Sequence, residues 1–273
     1  MTKSIAVVMS IYREDRPEWL FASLNSLYEQ TISDFDIFLQ VDGSISPDLK
    51  KVVSDFELKY TNLFVEFFEE NRGLAFQLNR AISRLSHNGT YKFIARMDAD
   101  DICFKNRFEK QLDFFSKNPT VAICGAGVIE FSECGSVFEK RLPSHHEVLI
   151  KNIIRRCPFS HPTVMFNLSV INVSDIFYDE KLMNTQDYYL WVDLVAKNYI
   201  IGNCQDILLR FRKSSDFFSR RGFGKAKNDL LSRFYAMRKL HQISVVNIFF
   251  SIALFGLRIS PSFIKKFLYS RFR

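Results

Sequence analysis

The amino-acid sequence predicts an α/β protein built around a doubly wound sheet, and three observations lead to this fold class. Apolar runs such as residues 4–12 are continuous and rich in β-branched residues, as in strands that parallel sheets bury on both faces. Amphipathic segments begin at Pro17 and at Ser46-Pro47, where the residue types favour helix starts. The two kinds of segment alternate along the first third of the chain, which is typical of βαβ units.

The first half of the chain supplies the predicted parallel strands. These strands cover residues 4–12, 35–42, 62–69 and 91–97. The helices between them begin at Pro17, at Ser46-Pro47 and at Leu74, and the second of them ends near Tyr60. The order β-α-β-α-β-α-β places the carboxyl ends of these strands at one edge of the sheet, where ligands bind in such folds.

The second half of the chain continues the pattern less regularly. Helices are predicted over residues 105–117, 146–156 and 185–198, and strands over residues 121–131, 136–140, 161–166, 199–203 and 206–212. From Phe223 onward the chain is predicted to be helical throughout. We therefore expect an α/β domain over residues 1–220 and a helical, basic and apolar extension over residues 221–273.

Composition narrows the possible partners. The formal net charge is +7 and the isoelectric point is about 9.1, which admits nucleic acid, anionic lipid or phosphate-bearing substrates. The five cysteines are widely spaced without a CxxC pair, so neither a zinc ribbon nor a redox motif is predicted. The N-terminal segment is predicted to be a first strand rather than a signal peptide, and no apolar run is long enough for a spanning helix.

Three carboxylates follow the fourth predicted strand. Asp98, Asp100 and Asp101 lie in the segment ARMDADDI, residues 95–102. Carboxylates that cluster at a strand end repel one another unless a cation joins them, and hard divalent cations prefer oxygen ligands. The pattern indicates a metal site that faces a polyphosphate. The alternative is a solvated acidic turn with Asp101 as the N-cap of the next helix.

Two other segments are predicted to reach the same edge of the sheet. Asp42 ends the second strand, and its carboxylate could accept a hydrogen bond from a base imide or a sugar hydroxyl. Asn71-Arg72-Gly73 follows the third strand, where Gly73 permits close backbone approach and Arg72 could hold a phosphate or a base. The alternatives are an ordinary Asp-Gly-Ser turn and a simple helix-start loop.

Two candidate residues lie further along the chain. Asp187 falls in the first turn of a predicted helix, where it could act as a general base on a sugar hydroxyl. The alternative is that this acid only complements the helix macrodipole. His161 precedes Pro162 at a predicted strand start, where its imidazole could complete a metal site begun by Asp100. A single histidine is more often structural.

The last third of the chain carries two basic segments. Residues 210–225 are predicted to form a basic loop, either solvated or acting as a mobile clamp on a diphosphate. Residues 245–257 are almost wholly apolar, and the tail at 258–273 mixes aromatic, aliphatic and basic residues. This mixture favours an interfacial helix pair on an anionic bilayer over a core-capping helix with a basic tail.

Six of these segments occur in the order and at the spacing of a known enzyme family. The chain resembles the family 2 inverting glycosyltransferases of the GT-A fold, most closely the bacterial branch that builds O-antigen, capsule and exopolysaccharide repeat units. The resemblance covers about residues 3–215 and rests on SIAVVMSIYRED (4–15), LQVDGS (39–44), ENRGLAFQLNRAI (70–82), ARMDADD (95–101), SHPTVMF (160–166) and TQDYYLW (185–191). The chain departs from the family pattern at Ser10, where the family usually has Pro, and at Gln186, where it has Glu.

The resemblance implies a fold, a reaction and a set of site residues. The implied fold is a Rossmann-like doubly wound mixed sheet with a helical C-terminal extension, and the implied reaction is a metal-dependent single displacement with Mn²⁺ or Mg²⁺. Asp187 would be the catalytic base, with the donor held by Tyr12, Asp42, Arg72 and Asp98. The metal ligands would be Asp98, Asp100 and His161, and the supporting residues Arg96, Asp101 and Gln186.

The expected substrates follow from the same resemblance. The donor would be a UDP-hexose, with glucose or galactose favoured, and the acceptor an N-acetylhexosamine on undecaprenyl diphosphate. The protein would then lie in the cytoplasm, peripherally on the inner face of the cell membrane, and would not bind nucleic acid. Two other hypotheses remain: a non-catalytic nucleotide-sugar or membrane-binding subunit with the same fold, and a nucleic-acid-binding protein suggested only by the isoelectric point.

Overall fold

A mixed sheet forms the centre of the molecule. The computed structural model describes residues 3–86, 91–132, 135, 137–182, 184–213 and 223–260. Within these ranges the sheet has the strand order β3-β2-β1-β4-β8-β6-β9-β5, and β7 pairs with β6. The strands are β1 (Ile5–Tyr12), β2 (Phe35–Asp42), β3 (Leu63–Phe68), β4 (Phe93–Arg96), β5 (Ile102–Cys103), β6 (Val121–Ser132), β7 (Val137–Lys140), β8 (Met165–Asn167) and β9 (Ile200–Lys213).

The strand directions confirm a doubly wound arrangement with antiparallel additions. β3, β2, β1 and β4 are parallel neighbours, whereas β8 pairs antiparallel with both β4 and β6. The helices are α1 (Pro17–Tyr28), α2 (Pro47–Lys59), α3 (Leu74–Ser86), α4 (Arg107–Lys117), α5 (His146–Asn152), α6 (Gln186–Ala196), α7 (Phe223–Lys239) and α8 (Val245–Ile259), with short 3₁₀ turns at His161–Thr163 and Val173–Asp175.

Two hydrophobic cores cover the two faces of the sheet. β1 and β2 alternate their buried side chains between the cores, as continuous apolar strands must when both faces are covered. Leu20, Leu24 and Leu27 of α1 pack in one core. Trp191 of α6 is completely buried in the other, against Phe159 and Phe166. This layered packing brings the ends of β1, β2 and β4 to one edge.

Several predicted elements are wrong in detail, and the helix predicted over 146–156 already ends at Asn152. The strand predicted over 161–166 begins only at Met165, because Pro162 lacks a backbone N–H and the chain turns there, with Thr163 N–H donating to Ser160 O. The two strands predicted over 199–203 and 206–212 form one strand, β9. Its pairing with β6 has an irregular register, which accommodates the residues between the two predicted strands. The predicted continuous helix after Phe223 is broken between α7 and α8, where His241 has a φ of 53°.

The C-terminal helices pack on the sheet domain through α6. The rings of Tyr235 and Tyr189 stack with centroids 4.3 Å apart, and α8 packs in turn against α7. Within the described residues, no helix combines the length and apolar character that a membrane span requires. The predicted domain boundary at 220/221, most of the basic loop at 210–225 and the tail at 261–273 lie outside the described residues.

The start of α2 offers a test of the local folding rules. Ser46 is the N-cap, and its Oγ accepts a hydrogen bond from Leu49 N at 3.2 Å. We expect Ser46→Ala to lower the free energy of unfolding by about 1 kcal/mol, because one helix-end N–H loses its partner. Urea denaturation measures this, with the exposed mid-helix Ser54→Ala as the control that leaves stability unchanged or slightly raised. Equal effects of the two substitutions would contradict the capping role.

Candidate active site

A cleft of about 410 Å³ opens at the carboxyl ends of β1, β2 and β4. This is the position where open α/β sheets bind ligands. Its lining is rich in carboxylates and consists of Ser10, Tyr12, Asp15, Asp42, Asn71, Gly73, Leu74, Asp98, Ala99 and Asp100. The structure therefore brings Tyr12, Asp42, Asp98 and Asp100, four of the residues singled out in the sequence, to one cavity.

Asp98, Asp100 and Asp101 form a compact carboxylate group beside this cleft. One carboxylate oxygen from each lies within 4.8 Å of the others. Asp101 is not a helix N-cap, because α4 begins only at Arg107 and the Asp101 side chain is completely buried. Its Oδ1 instead accepts a hydrogen bond from Arg212 N at 2.8 Å.

The carboxylate group fits a hard divalent cation. Burial, and then repulsion by Asp98, raise the pKa of Asp100 to about 6 and hold the pKa of Asp101 well above its ordinary value. Asp101 Oδ2 is buried without a hydrogen-bond partner among the described residues. An orphaned carboxylate oxygen beside two further carboxylates is the oxygen donor set that Mg²⁺ or Mn²⁺ requires.

Arg96 is the fixed positive charge behind the group. Its side chain is only 2% exposed and forms an ion pair with Asp98. Burial lowers the pKa of Arg96, but the Asp98 carboxylate outweighs burial and raises it above the ordinary arginine value. Asp98 is therefore the member of the group that pairs directly with a buried cation.

Asp15 is a further carboxylate of the cleft that the sequence analysis missed. Its Oδ2 accepts a hydrogen bond from Tyr12 N at 2.8 Å, in the turn after β1. Burial raises its pKa to about 7, with further repulsion from Asp100 and Asp98. The rule that identified Asp42 and Asp98, an acidic residue close after an apolar strand, would also have identified Asp15.

The carboxylate of Asp42 is already hydrogen-bonded to other residues of the protein. It is 3% exposed, and its carboxylate accepts hydrogen bonds from Arg72 N at 2.7 Å, Gly73 N at 2.9 Å and Gln77 Nε2 at 2.6 Å. Gly73 has a φ of 85°, which non-glycine residues rarely adopt. Asp42 therefore orders the Asn71–Gly73 loop at the lining of the cleft.

Arg72 contributes to this arrangement through its backbone. Its guanidinium is exposed and lies over the ring of Phe76, 3.6 Å from the ring centroid. It does not line the cleft in this conformation. The role of Arg72 as a donor-binding side chain stays a prediction.

Asp187 lies in the first turn of α6, in electrostatic range of Arg96 and Asp98. Burial raises its pKa above the ordinary aspartate value, although the Tyr188 backbone N–H and the Arg96 cation both act to lower it. The neighbouring Gln186 has a buried Oε1 with no hydrogen-bond partner in the described ranges. The arrangement places a desolvated carboxylate in electrostatic range of Asp98, an environment that suits a general base.

His161 has a partner other than the carboxylate group. Its Nε2 lies 3.0 Å from Tyr178 Oη, and its ring packs edge-on against Trp191. Burial, and then the Arg96 cation, hold its pKa well below the ordinary value, so the imidazole is neutral. The structure places His161 on Tyr178, and its role as a metal ligand stays a prediction.

The protein-family comparison agrees with this site. The model of "Glycosyl transferase family 2" matches residues 6–176, more than half of the chain. The chain belongs to this glycosyltransferase family. The matched residues include Asp15, Asp42 and the carboxylate group, whereas Asp187 lies beyond them.

Relatives of this glycosyltransferase span most of its length. The amylovoran biosynthesis glycosyltransferase AmsE of Erwinia amylovora is 34% identical over 229 residues, 82% of each chain. The UDP-Gal:alpha-D-GlcNAc-diphosphoundecaprenol beta-1,3-galactosyltransferase of Escherichia coli is 30% identical over 276 residues, covering 99% of this chain and 96% of the relative. Sequence similarity therefore extends through the C-terminal helices.

Solved structures agree on the GT-A fold. S. aureus TarS 1–349 in complex with UDP has a TM-score of 0.61 at 17% identity, covering 88% of this chain and 70% of that chain. The mannosyltransferase PcManGT from Pyrobaculum calidifontis, in complex with GDP-Man and Mn²⁺, has a TM-score of 0.62 at 12% identity, with coverage of 93% and 74%. At these identities the likeness establishes the fold alone.

The repulsion within the carboxylate group leads to a prediction about stability. Because the pKa values of Asp15 and Asp100 are raised in the folded state, the metal-free fold binds protons more tightly than the unfolded chain. Its stability should fall as the pH rises from 3.8 toward about 7. At pH 8 we expect Asp100→Asn to raise the melting temperature of the metal-free protein and to diminish the further rise that Mn²⁺ gives the wild type.

Differential scanning fluorimetry with EDTA or with Mn²⁺ measures both effects. The control is Asp113→Asn on α4, whose exposed carboxylate pairs only with Lys117 in the described structure. This variant should keep the full stabilisation by Mn²⁺. The prediction fails when Asp100→Asn responds to Mn²⁺ as strongly as the wild type.

Proposed function

We propose that this glycosyltransferase moves a hexose, galactose or glucose, from a UDP-sugar to an N-acetylhexosamine on undecaprenyl diphosphate, with inversion to a β-linkage. The product would be part of an O-antigen or another surface polysaccharide repeat unit. The observation that carries the proposal is the carboxylate group at the cleft, with the desolvated Asp187 in electrostatic range of it. A cation site and a base so placed suit displacement of a nucleoside diphosphate by a hydroxyl.

Two kinds of likeness support the choice of substrates. The E. coli relative named for UDP-Gal and a GlcNAc-diphosphoundecaprenol acceptor aligns over nearly the whole chain, and AmsE is named for amylovoran biosynthesis. TarS, which shares the fold, binds UDP and UDP-GlcNAc in its crystal structures. A UDP-sugar donor and a lipid-diphosphate acceptor are therefore the substrate classes that we propose.

The donor would lie along the cleft lining. Tyr12 and the ordered loop held by Asp42 would border the nucleoside, and Asp15 presents a carboxylate whose Oδ1 could accept a hydrogen bond from a nucleoside N–H or O–H. Asp98 and Asp100 would face the diphosphate end of the donor. When bound there, Mn²⁺ or Mg²⁺ would supply Lewis-acid stabilisation of the departing diphosphate.

Asp187 would take the proton that the reaction releases. The acceptor hydroxyl oxygen forms a bond to the anomeric carbon while the bond from that carbon to the UDP oxygen breaks. The hydroxyl proton passes to the Asp187 carboxylate, and attack on the side opposite the leaving group turns an α-linked donor into a β-linked product. Burial raises the pKa of Asp187, and Arg96 acts against this rise and so favours the charged form that accepts the proton.

Substitution of the base separates binding from chemistry. Asp187→Asn should lower transfer to a synthetic GlcNAc-diphosphate-lipid by about 10²-fold or more, the scale expected for losing a general base. UDP-sugar binding measured by calorimetry should stay near the wild-type value, because Asp187 does not line the donor cleft. The control Asp55→Asn, on the exposed side of α2, should keep full activity.

A panel of UDP-sugars with GlcNAc- or GalNAc-diphosphate-lipid, with and without Mn²⁺, identifies the substrates. If Asp187→Asn has the same turnover as the wild type, Asp187 is not the base. A wild-type protein that binds UDP with Mn²⁺ but transfers no sugar to any of these acceptors would instead be a non-catalytic nucleotide-sugar-binding subunit.

We further propose that α8 holds the enzyme at the membrane surface. Val245, Phe249 and Ile252 are 84%, 73% and 54% exposed and lie along one side of the helix, which packs against α7 through its other side. The sequence after α8 adds Lys265, Lys266 and Arg271 among aromatic residues. An apolar helix face continued by basic residues suits an anionic bilayer.

Charges placed on this face should prevent attachment. Phe249→Glu combined with Ile252→Glu should reduce binding to phosphatidylglycerol vesicles at least tenfold, because burial of two apolar side chains is replaced by two repelled carboxylates. Leu58→Glu, at an isolated exposed position on α2, is the control that keeps vesicle binding. Co-sedimentation measures the outcome, and equal binding of the two variants would refute the surface role of α8.

A further inference from the structure

A group of basic side chains lies in the β7-β6-β9 part of the sheet. Lys140 is paired with Val128 across β7 and β6, and Lys213 is paired with Ser132 across β6 and β9. Glu130 lies midway between these two positions on β6. Since side chains two residues apart share a face, Lys140, Glu130 and Lys213 project to the same side. The Lys213–Glu130 ion pair agrees with this register.

The turn after α5 connects this group to the candidate base. Tyr188, which directly follows the base in the sequence, donates its hydroxyl to Ile153 O at 2.9 Å. Arg233 of α7 donates from Nη1 to Ile154 O at 2.7 Å. The turn that carries Arg156 is therefore attached to the first turn of α6 and to α7, and its position relative to Asp187 is set by hydrogen bonds.

Lys140 is a half-buried cation with no ion-pair partner among the described residues. Burial lowers its pKa, and Arg156 and Lys213 lower it further by repulsion, against a smaller opposing influence of Cys157 and Glu130. Lys140 therefore lies in electrostatic range of Arg156 and Lys213, and Glu130 is the carboxylate that pairs with Lys213. A half-buried cation that has two further cations beside it favours an anionic ligand, so Lys140 indicates where such a ligand would bind.

Cys157 establishes how close this group lies to the base. Burial raises the pKa of its thiol, Asp187 raises it further, and Lys140 acts in the opposite direction. One thiol thus lies within electrostatic range of both the carboxylate that would accept the hydroxyl proton and the amine of Lys140. Cys157 therefore connects the basic group and the candidate base within one region of the structure.

We propose that Lys140, Arg156 and Lys213 form the subsite that binds the diphosphate of the acceptor. Lysine ammonium groups act as point charges toward phosphate oxygens, and the Arg156 guanidinium can donate two parallel hydrogen bonds. The subsite rests on the proposed function, because it gives the acceptor sugar one fixed end while its hydroxyl meets Asp187. It would make the enzyme select sugar diphosphates over neutral glycosides.

The test compares a soluble short-alkyl GlcNAc-diphosphate with the corresponding alkyl GlcNAc glycoside that lacks phosphate. In Lys140→Met we expect the KM for the diphosphate acceptor to rise about tenfold or more, the effect of losing one charged contact, while the KM for the UDP-sugar stays unchanged. The KM for the neutral glycoside should be the same in variant and wild type. Lys140→Arg should restore most of the wild-type KM.

Two further variants control for folding and for net charge. Arg156 is exposed, so Arg156→Gln should fold normally and still raise the KM for the diphosphate acceptor. Lys151→Met removes an exposed lysine from the neighbouring α5 and should leave that KM unchanged. Lys140→Met should melt at the wild-type temperature or above, because it removes a poorly solvated charge.

The outcomes separate this inference from the proposed function. In one outcome, the wild type transfers sugar to the diphosphate acceptor with a KM that is the same in Lys140→Met and in Arg156→Gln. This outcome overturns the subsite and leaves the proposed function standing. If Lys140→Met weakens binding to phosphatidylglycerol vesicles and leaves the KM for the diphosphate acceptor unchanged, the cations bind lipid headgroups. This outcome also overturns the subsite. Absence of wild-type transfer refutes the proposed function; calorimetric titration of the GlcNAc-diphosphate into wild type and Lys140→Met then tests the subsite, and equal affinities overturn it.

Discussion

Repulsion among desolvated carboxylates is the constraint on which the site of this glycosyltransferase depends. Asp98, Asp100 and Asp101 place oxygens within 4.8 Å of one another, and Asp15 adds a further carboxylate in the same cleft. Arg96 is the buried cation that balances this charge from behind. The remaining negative charge is stabilised by protons or by a cation, and a cation bound there would in turn attract the diphosphate of the proposed donor.

The fold holds the acidic turn by its backbone and leaves most carboxylate oxygens for ligands. Ser23 Oγ donates to Asp98 O at 3.0 Å, and Arg212 Nε donates to Asp100 O at 2.9 Å. Arg107, itself completely buried, donates to the carbonyl of the last β4 residue at 2.8 Å. Side chains from α1, β9 and α4 therefore fix the turn, so its position does not require the carboxylates to bond to the protein.

Local sequence patterns predicted the strands that end at the cleft, because strand periodicity and strand-end residues can be read from neighbouring positions in the chain. β2 has the predicted bounds, and strand ends located Asp42 and Asp98. The partner of His161 and the hydrogen bonds that occupy Asp42 could not be read in this way, since Tyr178 and Gln77 reach them only through tertiary packing. The same holds for Lys140, whose environment depends on the register of three strands and on a distant turn.

Direct titration of the cation tests the central claim. Calorimetry of Mn²⁺ binding at pH 8, with UDP present, should detect a single site in the wild-type protein. The account predicts that Asp98→Asn combined with Asp100→Asn abolishes this binding, while Asp113→Asn keeps it. Mn²⁺ binding of wild-type affinity in the double variant would contradict the account.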